Sequence, residues 1–262
     1  MSLNKSHLAV ALLFAAMGSS SVLADHAWSD YHWATTTGTV NLPVIDSVTP
    51  DWQQSMDVSL QKWNQSNVIN QSVVALDDGA RTRKRCAAQT GHMRVCNAEY
   101  GYNGWAGLAS INLDSQRHIT QGTAKMNDSY LATYPDDYRN HVMCQEIGHV
   151  FGLGHTSEDG SSQKTCMDYS DDINSQWPNS HDYAMLAEIY NHLDSYDTAG
   201  GSADGGCKGG PRKCGSNASP AFGVKVMQKG RMQIWVAPGE NGTAWVHHVW
   251  LAEGYDDIVH DH

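Results

Sequence analysis

The stretch HVMCQEIGHVFGLGHT, residues 141–156, decides the fold that this sequence predicts. On a helix, Gln145 and His149 lie four residues apart, so their side chains leave the same face about one turn apart. Two donors placed in this way can hold one ion. Glu146 projects one residue further round the helix, which suits a base that acts on a water beside that ion.

The residues after this helix extend the pattern. Gly152 lets the backbone turn out of the helix, so that His155 can swing back as a third ligand. The string Q-E-I-G-H-V-F-G-L-G-H matches the long zinc-binding pattern H-E-x-x-H-x-x-G-x-x-H in every specified letter except the first, where Gln145 stands. So long a string is far more specific than H-E-x-x-H alone.

A second motif, TCMDYS at residues 165–170, follows the last histidine of the pattern. Its Met167 could form a tight turn beneath the ion, with Tyr169 two residues further on. With both motifs in place, the chain resembles the metzincin metalloproteases. GHVFGLGHT is most like the matrixins, whereas Met-x-Tyr is more like the astacins and serralysins. The chain is also similar to a group of exported bacterial metzincin-like proteins that share VCNAEYG, GWAGLA, ITQGTAKMND and VMCQE, and the similarity covers most of residues 28–195.

The resemblance implies a secreted zinc-dependent endopeptidase with one catalytic zinc ion. Its substrate would be a protein or peptide that lies by strand addition along an edge strand at residues 107–114. Glu146 would take a proton from a water that the metal activates. The implied site consists of the zinc ligands Gln145, His149 and His155, the general base Glu146, the Met-turn residue Met167, and Tyr169 as a further ligand or as a stabiliser of the oxyanion.

The glutamine at position 145 leaves two functions open. Its amide oxygen carries no net charge, as neutral imidazole carries none, but it is a harder and weaker donor than the usual zinc ligands. An active hydrolase is favoured because an unneeded buried carboxylate at Glu146 would cost stability. The alternative is a catalytically inactive module that binds peptides or proteins in the same cleft. His141 cannot replace Gln145 as a ligand, because eight residues of helix place it about 12 Å from His149.

The order of the predicted elements is that of an α/β (α+β) fold. We expect a metzincin-like catalytic domain with a twisted, mostly parallel five-stranded sheet, an active-site helix, a Met-turn and a C-terminal helix. The first helix has Pro50 in its first turn and an apolar stripe at three- to four-residue spacing. Strands are predicted at residues 36–46, 71–76, 92–98, 106–113 and 118–127, and further helices at 47–66 and 180–194.

Composition divides the chain into four parts. Residues 1–24 have the charged start, apolar run and small-residue end of a signal peptide, which predicts a secreted or periplasmic protein. Residues 25–198 are expected to form the catalytic domain, and residues 199–220 a Gly/Ser-rich linker with a local disulfide. Residues 221–262 alternate like strands joined by turns, and we expect a small C-terminal β appendage.

Charge and hydropathy limit the partners of the protein. The formal net charge is −11, and the only basic run, RTRKR at residues 81–85, is predicted to be a solvated loop. We therefore expect no nucleic-acid partner, since phosphate binding needs a basic surface. The apolar run of the signal is about ten residues, whereas a membrane span needs roughly 20, so we expect no membrane span.

The cysteines indicate disulfides. Six cysteines in an exported chain suggest three bridges. Their spacing groups them as Cys86–Cys96, Cys144–Cys166 and Cys207–Cys214, although six cysteines permit other pairings. A thiolate metal site is disfavoured, because the C-x-x-C spacing is missing.

Four other groups could bind metal but receive less weight. His26 and His32 could approach the zinc as a latency device, but a surface or core role is favoured. The pairs at residues 247–248 and 260–262 are expected to lie in an exposed tail. Calcium is possible at the aspartates of residues 168–172, but no clear calcium motif supports it.

Overall fold

The computed structural model describes residues 26–200 and 222–255. The predicted signal peptide, the Cys207–Cys214 bridge and the histidines at residues 260–262 lie outside these described residues. Within the described ranges, no helix has the length and apolar character needed to cross a bilayer.

The described chain contains both strands and helices up to residue 189, and its described residues after that form strands and one 3-10 turn. The helices are α1 (Pro50–Trp63), α2 (Ala80–Arg85), α3 (Asp128–Leu131), α4 (Asp136–Val150) and α5 (Ser180–Ile189), and Glu240–Gly242 is a 3-10 turn. The strands are β1 (His32–Trp33), β2 (Val40–Ser47), β3 (Ile69–Leu76), β4 (Met93–Ala98), β5 (Trp105–Leu113), β6 (His118–Asn127), β7 (Val224–Lys229), β8 (Met232–Pro238) and β9 (Ala244–Leu251).

All strands of the described chain belong to one sheet. Its order is β3-β2-β4-β6-β5-β9-β8-β7, and β1 pairs with the start of β6. The five strands β3, β2, β4, β6 and β5 are parallel except for β5. These five strands and the helices confirm the predicted mixed α/β fold class.

The predicted strand number was wrong. The sheet has nine strands, because β9, β8 and β7 continue it in antiparallel pairing beyond β5 instead of forming a separate appendage. Every residue of β5 is buried, and such a strand needs a partner on both sides to satisfy its backbone hydrogen bonds. The segment after the linker supplies that second partner.

Helix α4 lies between α1 and the sheet, against β5 and β6. Residues 141–150 of α4 are all buried, so the helix is enclosed on every side over its last ten residues. Trp52, Met56 and Trp63 form the buried stripe of α1, and the indole Nε1 of Trp63 donates to the carbonyl of Cys144 at 3.0 Å. The packing of α1 on α4 thereby fixes the distance of α4 from the sheet and its rotation about its own axis.

One local detail corrects an expectation. The basic run at residues 81–85 is solvated as expected but forms the short helix α2 instead of a loop. Helix α1 begins after Thr49, whose side chain makes no capping hydrogen bond. Two of the predicted disulfides, Cys86–Cys96 and Cys144–Cys166, are present, and the second joins α4 to the loop that carries Met167.

Candidate metal centre

The turn after α4 brings two predicted ligands together. Gly152 has a φ of +94°, and a Cβ added there would lie 2.0 Å from the carbonyl oxygen of Tyr31, so only glycine fits. The chain turns back at this point. As a result the Nε2 atoms of His149 and His155 lie 3.1 Å apart.

In each ring, a contact at Nδ1 orients the Nε2 atom that faces the centre. The Nδ1 of His149 lies 2.7 Å from the carbonyl oxygen of Leu153, so Nδ1 carries the proton and Nε2 keeps its lone pair. The Nδ1 of His155 faces the Glu158 carboxylate at 3.7 Å. Burial lowers the pKa of both histidines. The ring of His155 lowers the pKa of His149 further, whereas Glu158 offsets a part of the fall at His155. Both are therefore neutral, which is the form that binds a metal.

A third histidine, His248, comes from β9. It stacks on His149 with ring centroids 3.7 Å apart, and its ring lies 4.5 Å from that of His155. One ring nitrogen from each of the three histidines lies within 4.8 Å of the others, so this group could hold a metal ion. The expectation that residues 247–248 lie in an exposed tail was wrong, because both are buried.

Strand alternation explains why His248 and not His247 enters the centre. In the antiparallel pair, His248 lies opposite Ala109, and His247 lies opposite Ser110 on the other face. Trp250 shares the face of His248 and packs on Tyr169 with centroids 5.1 Å apart. A slip of one residue in this pairing would exchange the two histidines.

The carboxyl group of Glu146 is buried beneath β5. A Cβ added at Gly107 would lie 2.2 Å from its Oε1, so that glycine makes the room for the carboxyl group. Neither oxygen of Glu146 forms a hydrogen bond within the described ranges. Burial raises its pKa well above the ordinary value, and the nearby Ala109 backbone offsets a part of this rise. A buried polar group without a partner costs stability, which favours a functional reason for keeping it.

Gln145 anchors the loop that follows the centre. Its Nε2 donates to the carbonyl oxygens of Cys166 and Asp168, at 2.8 and 2.9 Å. A neutral histidine has one N–H donor and could serve only one of these carbonyls, whereas the amide serves both. The two acceptors fix which end of the amide is nitrogen. Its Oε1 is buried, has no hydrogen-bond partner among the described residues, and stays a candidate ligand.

The loop at residues 165–170 lies beneath the centre. Met167 is buried with its sulfur against Gly148, where an added Cβ would lie 2.5 Å from it. The ring of Tyr169 lies 4.3 Å from that of His155, and its hydroxyl has no partner in the described part of the chain. Burial first, and then the charge of Glu146, raises the pKa of Tyr169 well above its ordinary value. Tyr169 is therefore a protonated phenol that can donate a hydrogen bond.

The remaining candidates lie elsewhere. His141 is buried in the second turn of α4, and its Nε2 lies 2.9 Å from the carbonyl oxygen of Asp168. The carboxylate of Asp168 accepts bonds from its own loop, for example from Ser175 Oγ at 3.0 Å. His26 and His32 belong to two other histidine–aspartate groups.

The edge predicted for a substrate is covered. Strand β9 pairs with β5 from Trp105 to Leu113, so β5 is an interior strand here and its assignment as an edge was wrong. A cavity of about 370 Å³ remains beside the centre, lined by Trp28, His155, Met232 and His248 among others. The centre is therefore reached from that side.

Comparison of the chain with protein-family models and with curated proteins gives no match. The geometry of the centre therefore carries the functional argument. Buried neutral imidazoles from α4, its turn and β9 are donors that a divalent ion such as zinc prefers, and the carboxyl group of Glu146 lies one helical turn before His149.

Proposed function

We propose that this protein is a secreted metal-dependent endopeptidase, of the zinc type, that its own C-terminal strand holds closed. The observation that carries the proposal is the pair of facing Nε2 atoms of His149 and His155, 3.1 Å apart. Glu146, three residues before His149 on the same buried helix, has a carboxyl group that makes no hydrogen bond within the described residues.

The chain's own groups would divide the work as follows. His149, His155 and the Oε1 of Gln145 would hold the ion, which when bound lowers the pKa of water and polarises a carbonyl. Glu146 would accept a proton from the attacking water and pass it to the leaving amine. The hydroxyl of Tyr169 would donate a hydrogen bond to the developing oxyanion.

Strand β9 occupies the position that this mechanism needs for substrate. Its backbone pairs along β5, as an extended peptide would by strand addition. Its His248 would add a fourth donor to the proposed ligands Gln145, His149 and His155, and a site with four protein ligands has no open position for catalysis. The full chain is therefore a closed form, and β9 must leave for peptides to bind.

The test compares peptide hydrolysis by the full chain and by His248→Ala, each with and without Glu146→Gln. His248→Ala should hydrolyse peptides at least about tenfold faster, since the loss of some 1.4 kcal/mol of closing interaction shifts an equilibrium tenfold. Glu146→Gln should remove the activity in both backgrounds. Val224→Ala, on the outermost strand β7 where the residue is 69% exposed, is the control and should leave the rate unchanged.

Two results would contradict the proposal. If His248→Ala loses the ion and gains no activity, His248 is a resident ligand and the strand does not close the site. If all variants cleave peptides at the rate of Glu146→Gln, the enzyme assignment is lost. The chain would then be the non-catalytic binding module.

A further inference from the structure

A second cluster of donors lies where β1, the start of β6 and the segment after α5 meet. The Nε2 atoms of His32 and His192 lie 3.0 Å apart. The carboxylate of Asp194 faces them, 3.6 Å from His32 Nε2 and 3.7 Å from His192 Nε2. It also lies 3.5 Å from the Nε2 of His118. Three ring nitrogens and a carboxylate thus point at one another.

These separations fit the edges of a tetrahedron of zinc ligands. With metal–ligand distances of about 2.0–2.1 Å, the ligand atoms of a tetrahedral site lie roughly 3.3–3.4 Å apart. The four measured separations run from 3.0 to 3.7 Å, with Asp194 facing His32 through Oδ2 and facing His118 and His192 through Oδ1. One ligand atom from each of His32, His118 and Asp194 lies within 4.8 Å of the other two. Three imidazoles and one aspartate oxygen are also ordinary ligands of zinc.

The outer contacts of the cluster hold the donors in their ligating orientation. The Nδ1 of His32 lies 2.7 Å from the carbonyl oxygen of Asp30. The Nδ1 of His118 lies 2.7 Å from the hydroxyl of Tyr196, which donates to Asp114 at 2.5 Å. A proton on each Nδ1 leaves the Nε2 lone pair free, and this is the usual outer arrangement of metal-bound histidines.

We propose that His32, His118, His192 and Asp194 form a structural metal site for a tetrahedral divalent ion such as Zn²⁺. The side chains of His32, His118 and Asp194 are 11%, 12% and 9% exposed, whereas His192 is 46% exposed and gives the ion a path from solvent. All four positions are filled by the protein, so the site binds and does not catalyse.

The site would brace the candidate metal centre from outside. It joins segments that are more than 70 residues apart in sequence, between positions 32, 118 and 192–194. The backbone at Tyr31 and His32 packs directly on Gly152, the turn that returns His155 to its place. Trp28 N also donates to the Gly152 carbonyl at 2.6 Å. An ion at His32 would therefore fix the segment that supports this turn.

The experiment counts metal in the full chain with the first centre removed by His149→Ala and His155→Ala. This variant should retain one equivalent of Zn²⁺ after dialysis, and Co²⁺ in its place should give the visible spectrum of a four-coordinate ion. Adding His118→Ala and His192→Ala should remove that equivalent. Because the count does not depend on peptide hydrolysis, it succeeds or fails independently of the proposed function.

A conservative variant tests the outer contacts without emptying the cluster. Tyr196→Phe removes the hydroxyl between His118 and Asp114 and should weaken Zn²⁺ binding by about 10- to 100-fold. Tyr102→Phe, on a ring that is 79% exposed, is the control and should leave the affinity unchanged.

The proposal is overturned if the His149→Ala and His155→Ala variant, folded by circular dichroism, binds no Zn²⁺ at micromolar concentration. It is equally overturned if the equivalent survives both His118→Ala and His192→Ala. In the first case the four side chains form only a hydrogen-bond network. In the second case the ion binds elsewhere.

Discussion

Two regions of the molecule deliver histidines to the same centre by different means. Helix α4 and its turn place His149 and His155 by local geometry, with helical spacing and one glycine. Strand β9 places His248 through pairing with β5, a strand more than 130 residues earlier in the chain. The difference teaches that one part of the centre depends on short-range backbone geometry, whereas the other depends on the register of two distant strands.

The first prediction concerns the two glycine turns of these regions. Gly152→Ala should lower the free energy of unfolding by about 3–5 kcal/mol, because the methyl group meets backbone and the positive φ is strained. Gly242→Ala, before β9, also has a positive φ of +80° but meets nothing within 4 Å, so it should cost only about 1–2 kcal/mol. Urea unfolding of both variants measures the difference. Equal losses would show that the Tyr31 contact does not constrain the turn.

The second prediction concerns the bridge between α4 and its floor. Cys144 and Cys166 are 22 residues apart, and replacing both by serine should cost about 3 kcal/mol by the chain-entropy model. Cys86 and Cys96 close a shorter loop of 10 residues, so the matching double variant should cost slightly less. Thermal unfolding measures both. A larger loss at Cys86 and Cys96 would mean that α4 is held by packing and not by its bridge.

The third prediction concerns Lys125 on β6, which lies opposite Leu108 of β5. Burial lowers the pKa of Lys125 from 10.5 to about 8. Between pH 8 and 10.5 the unfolded chain therefore binds more protons than the folded one, so stability rises with pH in this window. At pH 7 Lys125→Met should be more stable by roughly 3 kcal/mol.

Urea unfolding at several values from pH 7 to pH 10 checks this prediction. The pH dependence in the window should flatten in Lys125→Met. Lys62→Met, on α1, is the control and should keep the dependence of the wild type. A wild-type stability that does not change in this window would show that the ammonium group reaches solvent.

The smallest predicted effect separates two buried tryptophans, Trp63 on α1, which packs on α4, and Trp250 on β9. Trp63 Nε1 donates to Cys144 on α4, whereas Trp250 Nε1, on β9, has no hydrogen-bond partner among the residues described. Trp63→Phe should therefore cost about 1 kcal/mol more than Trp250→Phe, the value of one buried hydrogen bond. Equilibrium unfolding measures the pair. The reverse order would mean that Trp250 finds a partner outside these ranges.

Much of the fold and half of the centre were accessible from sequence. The five central strands, α1 and α5 were placed within a few residues, because apolar periodicity reports local burial. His149, His155 and Gly152 were predicted together because their spacing is fixed by one helix and one turn. His248 was missed, although the alternation of residues 244–251 was visible, because nothing in that pattern names β5 as its partner.

The second cluster was missed for the same reason. His32 was weighed as a possible partner of the zinc, and His118, His192 and Asp194 each look like ordinary polar residues at element ends. Only the meeting of β1, β6 and the segment after α5 assembles them. A lone histidine in sequence carries no information about which distant histidine faces it.

The sequence by itself determined the helix that carries Gln145, Glu146 and His149, the return of His155, and the bridges near them. Each of these depends on contacts within about twenty residues, where backbone geometry leaves few alternatives. Only the tertiary structure decided that β9 covers β5, that His248 faces His149, and that four dispersed side chains converge near Asp194. These depend on strand register and on packing between distant segments, which local periodicity does not encode.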